Sequence, residues 1–199
     1  MSQPEEQQED VSERTIDYVT DILSQDVVKA MNRIAADLSQ SDENGKYVYD
    51  ETNARDLVRT LFAYLEGTSF IVRTRSALIL LEEGKFNDYE RAIFVEQTIA
   101  LRDGEVVLTP ARISFQENMK YTFKLADRAH KKATPTLDIS KKWWFDFKRM
   151  VGVRDRLTHP KLPEDLDVSL QEVELAISVG NGFADLIDSY DWISHIDSC

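Results

Sequence analysis

An arginine and a histidine in the C-terminal third are the residues best suited to chemistry: Arg154 and His159, in the segment VGVRDRLTHPK at residues 151–161. An arginine is permanently charged, and its planar N–H donors match phosphate oxygens. A histidine titrates near neutral pH and can therefore transfer a proton. Together they form the minimum set for metal-free cleavage of an RNA phosphodiester. One group moves the 2′-hydroxyl proton and the other stabilises the charge that develops on the phosphate.

The spacing of this pair requires a helix that ends at the histidine. On a continuous helix, five residues place Arg154 and His159 roughly 140° apart. Pro160 pushes the preceding residue out of helical geometry, so we expect His159 to leave the helix and turn back toward Arg154. Spacing alone leaves a structural alternative open, in which His159 caps the helix and Arg154 pairs with an acidic neighbour.

No other motif points to chemistry. The sequence lacks a glycine-rich phosphate loop, a GxSxG elbow, an HExxH motif and a CxxC motif, so we expect neither a metal nor a cofactor. His130 and His195 are distant in sequence, and we interpret both as structural or solvent-exposed.

Apolar residues at three- and four-residue steps predict an all-α fold, an antiparallel bundle of five or six helices with short connections. The predicted helices cover residues 12–38 with Ser12 as cap, 51–83, 87–101 with Asn87 as cap, 109–129 with Thr109-Pro110 at its start, a segment from Asp138 or Ser140 to Leu157, and a last helix after the capping box at Ser169. Asn44-Gly45 and Asp103-Gly104 indicate turns, and Val106–Leu108 a short extended piece.

Glycines mark the points where these helices change. Gly67 predicts a kink or a close helix contact, and Gly84 a helix C-terminus. Gly180-Asn181-Gly182 predicts a kink or break in the last helix.

The length of 199 residues predicts one domain over residues 11–199, preceded by a disordered acidic tail at 1–10. The N-terminal residues lack the basic start and apolar run of a secretory signal. Arg73 and Arg75 interrupt the densest apolar run, and the single Cys199 cannot form an internal disulfide framework. We therefore expect a cytoplasmic protein that does not enter a membrane.

Charge is unevenly distributed along the chain. The net charge of −12 argues against nucleic-acid binding through bulk charge. Residues 141–161, however, carry seven basic and two acidic side chains, whereas residues 162–199 carry nine acidic and no basic ones. The basic block is either a solvated helix face or a local anion site on an acidic body.

The segment FKRMVGVRDRLTHPKLPEDLDVSLQEV resembles the signature of HEPN-domain proteins, small α-helical bundles with an Rx4-6H motif at the end of a late helix. Arg154, Asp155 and His159 occupy the arginine, the following polar position and the histidine of that motif. The preceding ENMKYTFKLADRA is also similar, and the resemblance covers residues 110–195. Two features depart from the family: the position after the arginine is often Asn, and the HxY extension of some toxins is absent.

The resemblance implies a metal-independent endoribonuclease, often a toxin of a toxin–antitoxin pair or an antiviral-defence effector. Arg154 would hold the scissile phosphate, His159 would act as general base or acid, and Asp155 would orient one of them. Arg156, Thr158 and Lys161 would contact RNA. Asp155 could instead pair with Arg154 or Arg156 and weaken phosphate binding.

The resemblance also implies a homodimer whose two motifs face each other, and a two-fold axis is predicted near residues 150–161. Met150, Val151 and Val153 offer apolar surface for the core or for that interface. Because several HEPN proteins are not catalytic, a non-catalytic helical module that binds a partner protein or nucleotide is the alternative.

Overall fold

The computed structural model describes residues 5–40 and 49–190, with side chains from Tyr18 onward. Within these ranges the chain forms six α-helices, one two-stranded sheet and one short 3-10 helix: α1 (Glu5–Leu38), α2 (Glu51–Glu82), α3 (Asp88–Phe94), β1 (Gln97–Arg102), β2 (Glu105–Pro110), α4 (Phe115–Ala129), α5 (Lys142–Thr158), the 3-10 helix (Pro163–Leu166) and α6 (Leu170–Asp188). About 70% of the described residues are helical, which confirms the predicted all-α class. None of the described helices is both long enough and apolar enough to cross a membrane.

Several predicted helix ends are confirmed. Asn87 and Ser169 cap α3 and α6, and each forms a capping box with the glutamate three residues later. Gly84 has a φ of 66° just after α2, and the N–H of the next residue, Lys85, donates to the carbonyl of Leu80 at 2.8 Å. Glycine adopts this left-handed backbone without strain, so it ends the helix.

The prediction of one helix over residues 87–101 is wrong beyond Phe94. Ile99 and Leu101 lie in β1, which pairs antiparallel with β2, and Asp103 and Gly104 form the turn with φ angles of 52° and 84°. Two left-handed central residues match the right-handed twist of a hairpin, and β-branched residues in both strands favour extended backbone.

Two predicted helix starts are also wrong. Thr109 and Pro110 belong to β2, and α4 begins after Ser114, whose side chain accepts the N–H of Glu117 at 3.2 Å. Neither Asp138 nor Ser140 starts α5, whose N-cap residue is Lys141. The Asp138 carboxylate instead accepts the backbone N–H and the hydroxyl of Ser140, as aspartate does in a turn.

The first helix begins earlier than predicted. It includes residues 5–10, which we expected to be disordered, and Ser12 lies inside it. Residues 5–9 are all glutamate or glutamine, and both residue types are good helix formers. Residues 1–4 and the predicted turn at Asn44-Gly45 lie outside the described residues.

The chain groups into two compact units, residues 1–68 with 138–199 and residues 69–137. The boundary lies inside α2, between Thr68 and Ser69. A compact unit is defined by its internal contacts and a domain by its independent folding, so the prediction of one domain over residues 11–199 remains a prediction.

The first unit is built on close helix contacts at glycines of α6. This helix runs without a break through Gly180 and Gly182, contrary to the predicted kink. A Cβ at Gly180 would lie 3.0 Å from Met31 Cε, and one at Gly182 would lie 2.1 Å from Trp143 Cδ1. The Trp143 ring also stacks on Phe147 and donates to the carbonyl of Val179 at 3.0 Å. These glycines therefore allow α1 and α5 to approach α6. Gly67 acts in the same way: α2 is continuous there, and a Cβ would lie 2.5 Å from Leu23 Cδ1 on α1.

The second unit has a small apolar core of Ala77, Leu80, Leu125 and Ala129. Arg128 links α4 to α3 through Glu90, and also donates to the carbonyl of Lys85 at 2.9 Å. The hairpin leaves one face open to solvent: Ile99, Leu101, Val106 and Leu108 are each more than half exposed. The register places them on the same side of the sheet.

Two glycines on helices provide a matched test of this packing. We expect Gly182→Ala to destabilise the protein by roughly 1–2 kcal/mol, because the methyl group overlaps the Trp143 ring. Gly152→Ala on α5 meets nothing within 4 Å and should stabilise the protein by about 0.5–1 kcal/mol. Urea unfolding monitored by circular dichroism measures both. Equal effects of the two substitutions would contradict the packing described.

Candidate active site at the end of helix α5

Pro160 ends α5 where the sequence predicted. The helix stops at Thr158, and His159 has left helical geometry with φ −128° and ψ 58°. The backbone N–H of His159 still donates to the carbonyl of Asp155 at 3.0 Å. His159 is therefore the C-terminal cap residue, attached to the helix by its backbone.

The guanidinium of Arg154 is fixed by two carboxylates. Nη2 lies 2.6 Å from Glu66 Oε1 on α2, and Nη1 lies 3.1 Å from Asp155 Oδ1. The guanidinium carbon lies 5.8 Å from the centre of the Phe62 ring, also on α2. One third of the Arg154 side chain is exposed. The group is thus well oriented and reachable from solvent, but its charge is balanced.

The imidazole of His159 is exposed. Among the described residues, no hydrogen bond or ion pair joins this side chain to Arg154, to Asp155 or to any other group. The structure therefore brings Arg154 and Asp155 into contact and leaves His159 nearby on the chain, available to solvent or to a ligand. Asp155 itself is 57% exposed and pairs with Arg154, the arrangement expected to weaken phosphate binding.

Arg156 has a structural role in this conformation. Its Nη1 donates to the carbonyls of Asp165 and Asp167 at 2.7 and 2.6 Å. Its Nη2 contacts both carboxylate oxygens of Glu172 at 2.8 and 2.7 Å. Since both terminal nitrogens are bound within the protein, the predicted contact of Arg156 with RNA would require this cluster to open. The contact of Arg156 with RNA therefore stays a prediction.

The cluster around Arg156 holds the loop that follows His159. Asp165 Oδ2 accepts the backbone N–H groups of Lys161 and Leu162 at 2.7 and 2.9 Å, and these bonds lower the pKa of Asp165. Burial alone would raise the pKa of Glu172, but the hydrogen bonds from Arg156 and from the Ser169 N–H outweigh it, and the pKa is lowered. The loop between α5 and α6 is therefore held near its start by Asp165 and near its end by Arg156 and Glu172.

The other predicted RNA contacts are exposed. The Thr158 hydroxyl donates to the carbonyl of Arg154 at 2.8 Å, one helical turn earlier. Lys161 is exposed, and its backbone N–H donates to Asp165.

Sequence reasoning missed Glu66 and Phe62, the two α2 residues that contact Arg154. Glu66 is 88 residues from Arg154 along the chain. The helical pattern of α2 placed this segment in a helix, but no local signal pairs a surface glutamate with one particular distant arginine. The described side chains include no group of three or more His, Cys, Asp or Glu residues arranged to hold a metal ion.

Compared with protein-family models, curated proteins and solved structures, the chain has no significant match to any of them. The resemblance to HEPN proteins therefore stays a prediction from the motif and its flanking segments.

We expect the cluster around Arg156 to make the protein sensitive to acid. Glu172→Gln should destabilise it by roughly 1.5–3 kcal/mol at pH 7, because a bidentate charged contact is lost. Since the folded-state pKa of Glu172 is lowered, this stabilisation is complete above the usual glutamate pKa of about 4.3. It is lost as the pH falls through the lower folded value.

Urea midpoints of wild type and Glu172→Gln at pH 7 and pH 3 test this, with Glu174→Gln, an exposed change on the same helix, as control. A difference between wild type and Glu172→Gln that is as large at pH 3 as at pH 7 would show that the ionised carboxylate is not the stabilising group.

Proposed function

We propose that the protein is a metal-independent HEPN-type endoribonuclease. The observation that carries the proposal is the combination of an oriented guanidinium and an exposed, unengaged imidazole at the end of one helix, on a segment with the family's motif spacing. Toxin–antitoxin and antiviral-defence systems in the cytoplasm are the settings that the family resemblance suggests. A cognate antitoxin would be the partner in the first of them.

In the proposed reaction His159 removes the proton from a ribose 2′-hydroxyl. The 2′-oxygen attacks the adjacent phosphorus, and the bond to the 5′-oxygen of the next nucleotide breaks. Arg154 contacts the non-bridging oxygens, where negative charge develops. The products are a 2′,3′-cyclic phosphate and a 5′-hydroxyl, after the leaving oxygen takes up a proton from solvent and the imidazolium of His159 releases its proton to solvent. Thr158 and Lys161 contact the RNA beside this site.

Binding of a phosphate requires an exchange of partners at Arg154. The guanidinium has five N–H donors, and two of its nitrogens face Glu66 and Asp155. A phosphate can displace one carboxylate while the other keeps the group oriented. Because Glu66 and Asp155 are 44% and 57% exposed, water and counter-ions solvate them readily once released.

We further propose that the active form is a homodimer with its two-fold axis near residues 150–161. Met150 and Val153 are buried in the protomer, so they do not supply the interface. Leu162, just after His159, is 63% exposed and offers the apolar contact instead. Two facing motifs would double the positive charge available to an RNA backbone.

Ribonuclease activity is tested with purified protein, total RNA and EDTA. We expect cleavage with 2′,3′-cyclic phosphate ends. His159→Ala should lower the rate by about 10²–10⁴-fold through loss of proton transfer, and Arg154→Ala by about 10²–10³-fold through loss of charge stabilisation. Arg149→Ala, an exposed arginine on the same helix, is the matched control and should cleave as wild type.

Two results would refute the ribonuclease proposal. One is the absence of cleavage for every RNA tested with folded protein. The other is equal cleavage by wild type and His159→Ala, which would indicate a contaminating nuclease.

The oligomeric state is measured by light scattering at micromolar concentration. We expect a dimer for the wild type, and a monomer for Leu162→Lys, which places a charge in the proposed interface. A wild-type monomer, or a dimer that Leu162→Lys leaves intact, would contradict an interface at the motif.

A non-catalytic interaction module is the second candidate function. The neutralisation of Arg154 by Glu66 and Asp155 favours it, since an arginine used only for structure has such partners. This candidate predicts normal cellular function for the Arg154→Ala, His159→Ala double variant. Loss of function by a folded double variant would exclude it.

A further inference from the structure

A groove of about 440 Å³ lies between α1 and α2, within the same compact unit as Arg154. Leu23 and Ala63 contribute apolar surface to its lining. Three cationic side chains also line it, Lys29 and Arg33 from α1 and Arg59 from α2. The Thr60 hydroxyl and the carboxylate of Asp26 complete the lining.

The positive charge of the groove contrasts with the negative net charge of the unit that contains it. Residues 1–68 and 138–199 carry 27 acidic and 13 basic side chains, a net charge of −14, whereas the lining residues of the groove sum to +2. Lys29 and Arg59 are 65% and 57% exposed, and each has one aspartate nearby, Asp26 and Asp56. No described residue pairs with the Arg33 side chain, which is exposed. The groove is therefore a local cationic site with donors available to a ligand.

The groove and Arg154 are linked by one face of α2. Arg59 and Glu66 are seven residues apart, which is about 20° short of two full turns, so both point to nearly the same side of the helix. Ala63 lies between them and lines the groove, while Glu66 contacts Arg154. The separation along the helix axis is roughly 10 Å. One extended anion can therefore reach both sites along a single helix face.

We propose that this groove binds a second phosphate of a single-stranded RNA whose scissile phosphate lies at Arg154. The proposal rests on the ribonuclease function proposed above. Lys29, Arg33 and Arg59 contact the phosphate oxygens, and the Thr60 hydroxyl donates a further hydrogen bond. Only an RNA with several nucleotides on one side of the cleaved bond occupies both sites. The groove therefore selects extended strands over dinucleotides.

The binding test uses a fluorescein-labelled, unstructured 20-nucleotide RNA and protein carrying His159→Ala to prevent cleavage. In that background, Arg33→Gln with Arg59→Gln should weaken binding by roughly tenfold at moderate salt. The plot of log affinity against log salt concentration should become shallower by about 1.4, the value for two lost phosphate contacts on a single strand. Fluorescence anisotropy measures both quantities.

The matched control is Arg112→Gln with Lys124→Gln. It changes the net charge of the protein by the same amount, at exposed positions of the other compact unit. All four side chains are exposed, so neither pair should alter folding, and circular dichroism verifies this. A dinucleotide has one phosphate and cannot occupy both sites. Its cleavage by the groove variant with His159 intact should therefore equal that of wild type.

The outcomes separate this proposal from the ribonuclease proposal. Weaker RNA binding by the groove pair than by the control pair supports the groove, even if wild type cleaves no RNA and the ribonuclease proposal fails. Equal affinities for the two pairs overturn the groove proposal, even if wild type cleaves RNA through His159. Absence of RNA binding by the wild-type sequence with His159→Ala also overturns it.

Discussion

The ion pair between Arg154 and Glu66 is the interaction on which the candidate site depends. It connects the motif helix α5 to α2 across 88 residues of sequence and fixes the guanidinium over the Phe62 ring. The carboxylate of Glu66 also neutralises the positive charge of Arg154, to which an RNA phosphate would bind. A carboxylate that orients a cation in the free protein also competes with its ligand. In the proposed ribonuclease the site is thus preorganised, and its affinity for a phosphate would depend on the free energy of displacing Glu66 or Asp155.

Arg154 and Arg156 of the RDR sequence have different roles because the rotation of α5 directs their side chains to different neighbours. Two residues correspond to a rotation of about 200°, so Arg154 and Arg156 point to nearly opposite sides of α5. Arg154 meets α2, and Arg156 meets the loop 163–167 and the start of α6 through Glu172. The first is accessible from solvent. The second is used by the fold, since it holds the loop that directs the chain away from His159.

Local sequence signals predict many of the helix ends. The capping boxes at Asn87 and Ser169, the left-handed Gly84 and the helix end at Pro160 follow from side chains within four residues. The hairpin was missed because apolar residues at 93, 94, 99 and 101 fit a helical pattern, although Asp103-Gly104 marked its turn. The partners of Arg154 and Arg156 were not predictable, because such contacts depend on how α2 and α6 pack against α5.

The most direct test of the role of Arg154 is an NMR titration of its guanidinium resonances. The ligand is a 2′-O-methyl RNA oligonucleotide, which lacks the nucleophilic hydroxyl and cannot be cleaved. If Arg154 exchanges Glu66 for a phosphate, its side-chain N–H signals shift on titration, while those of Arg156 in its intramolecular cluster do not. Unchanged Arg154 signals at saturating RNA, or shifts at Arg156 alone, would contradict the assignment of Arg154 as the phosphate-binding group.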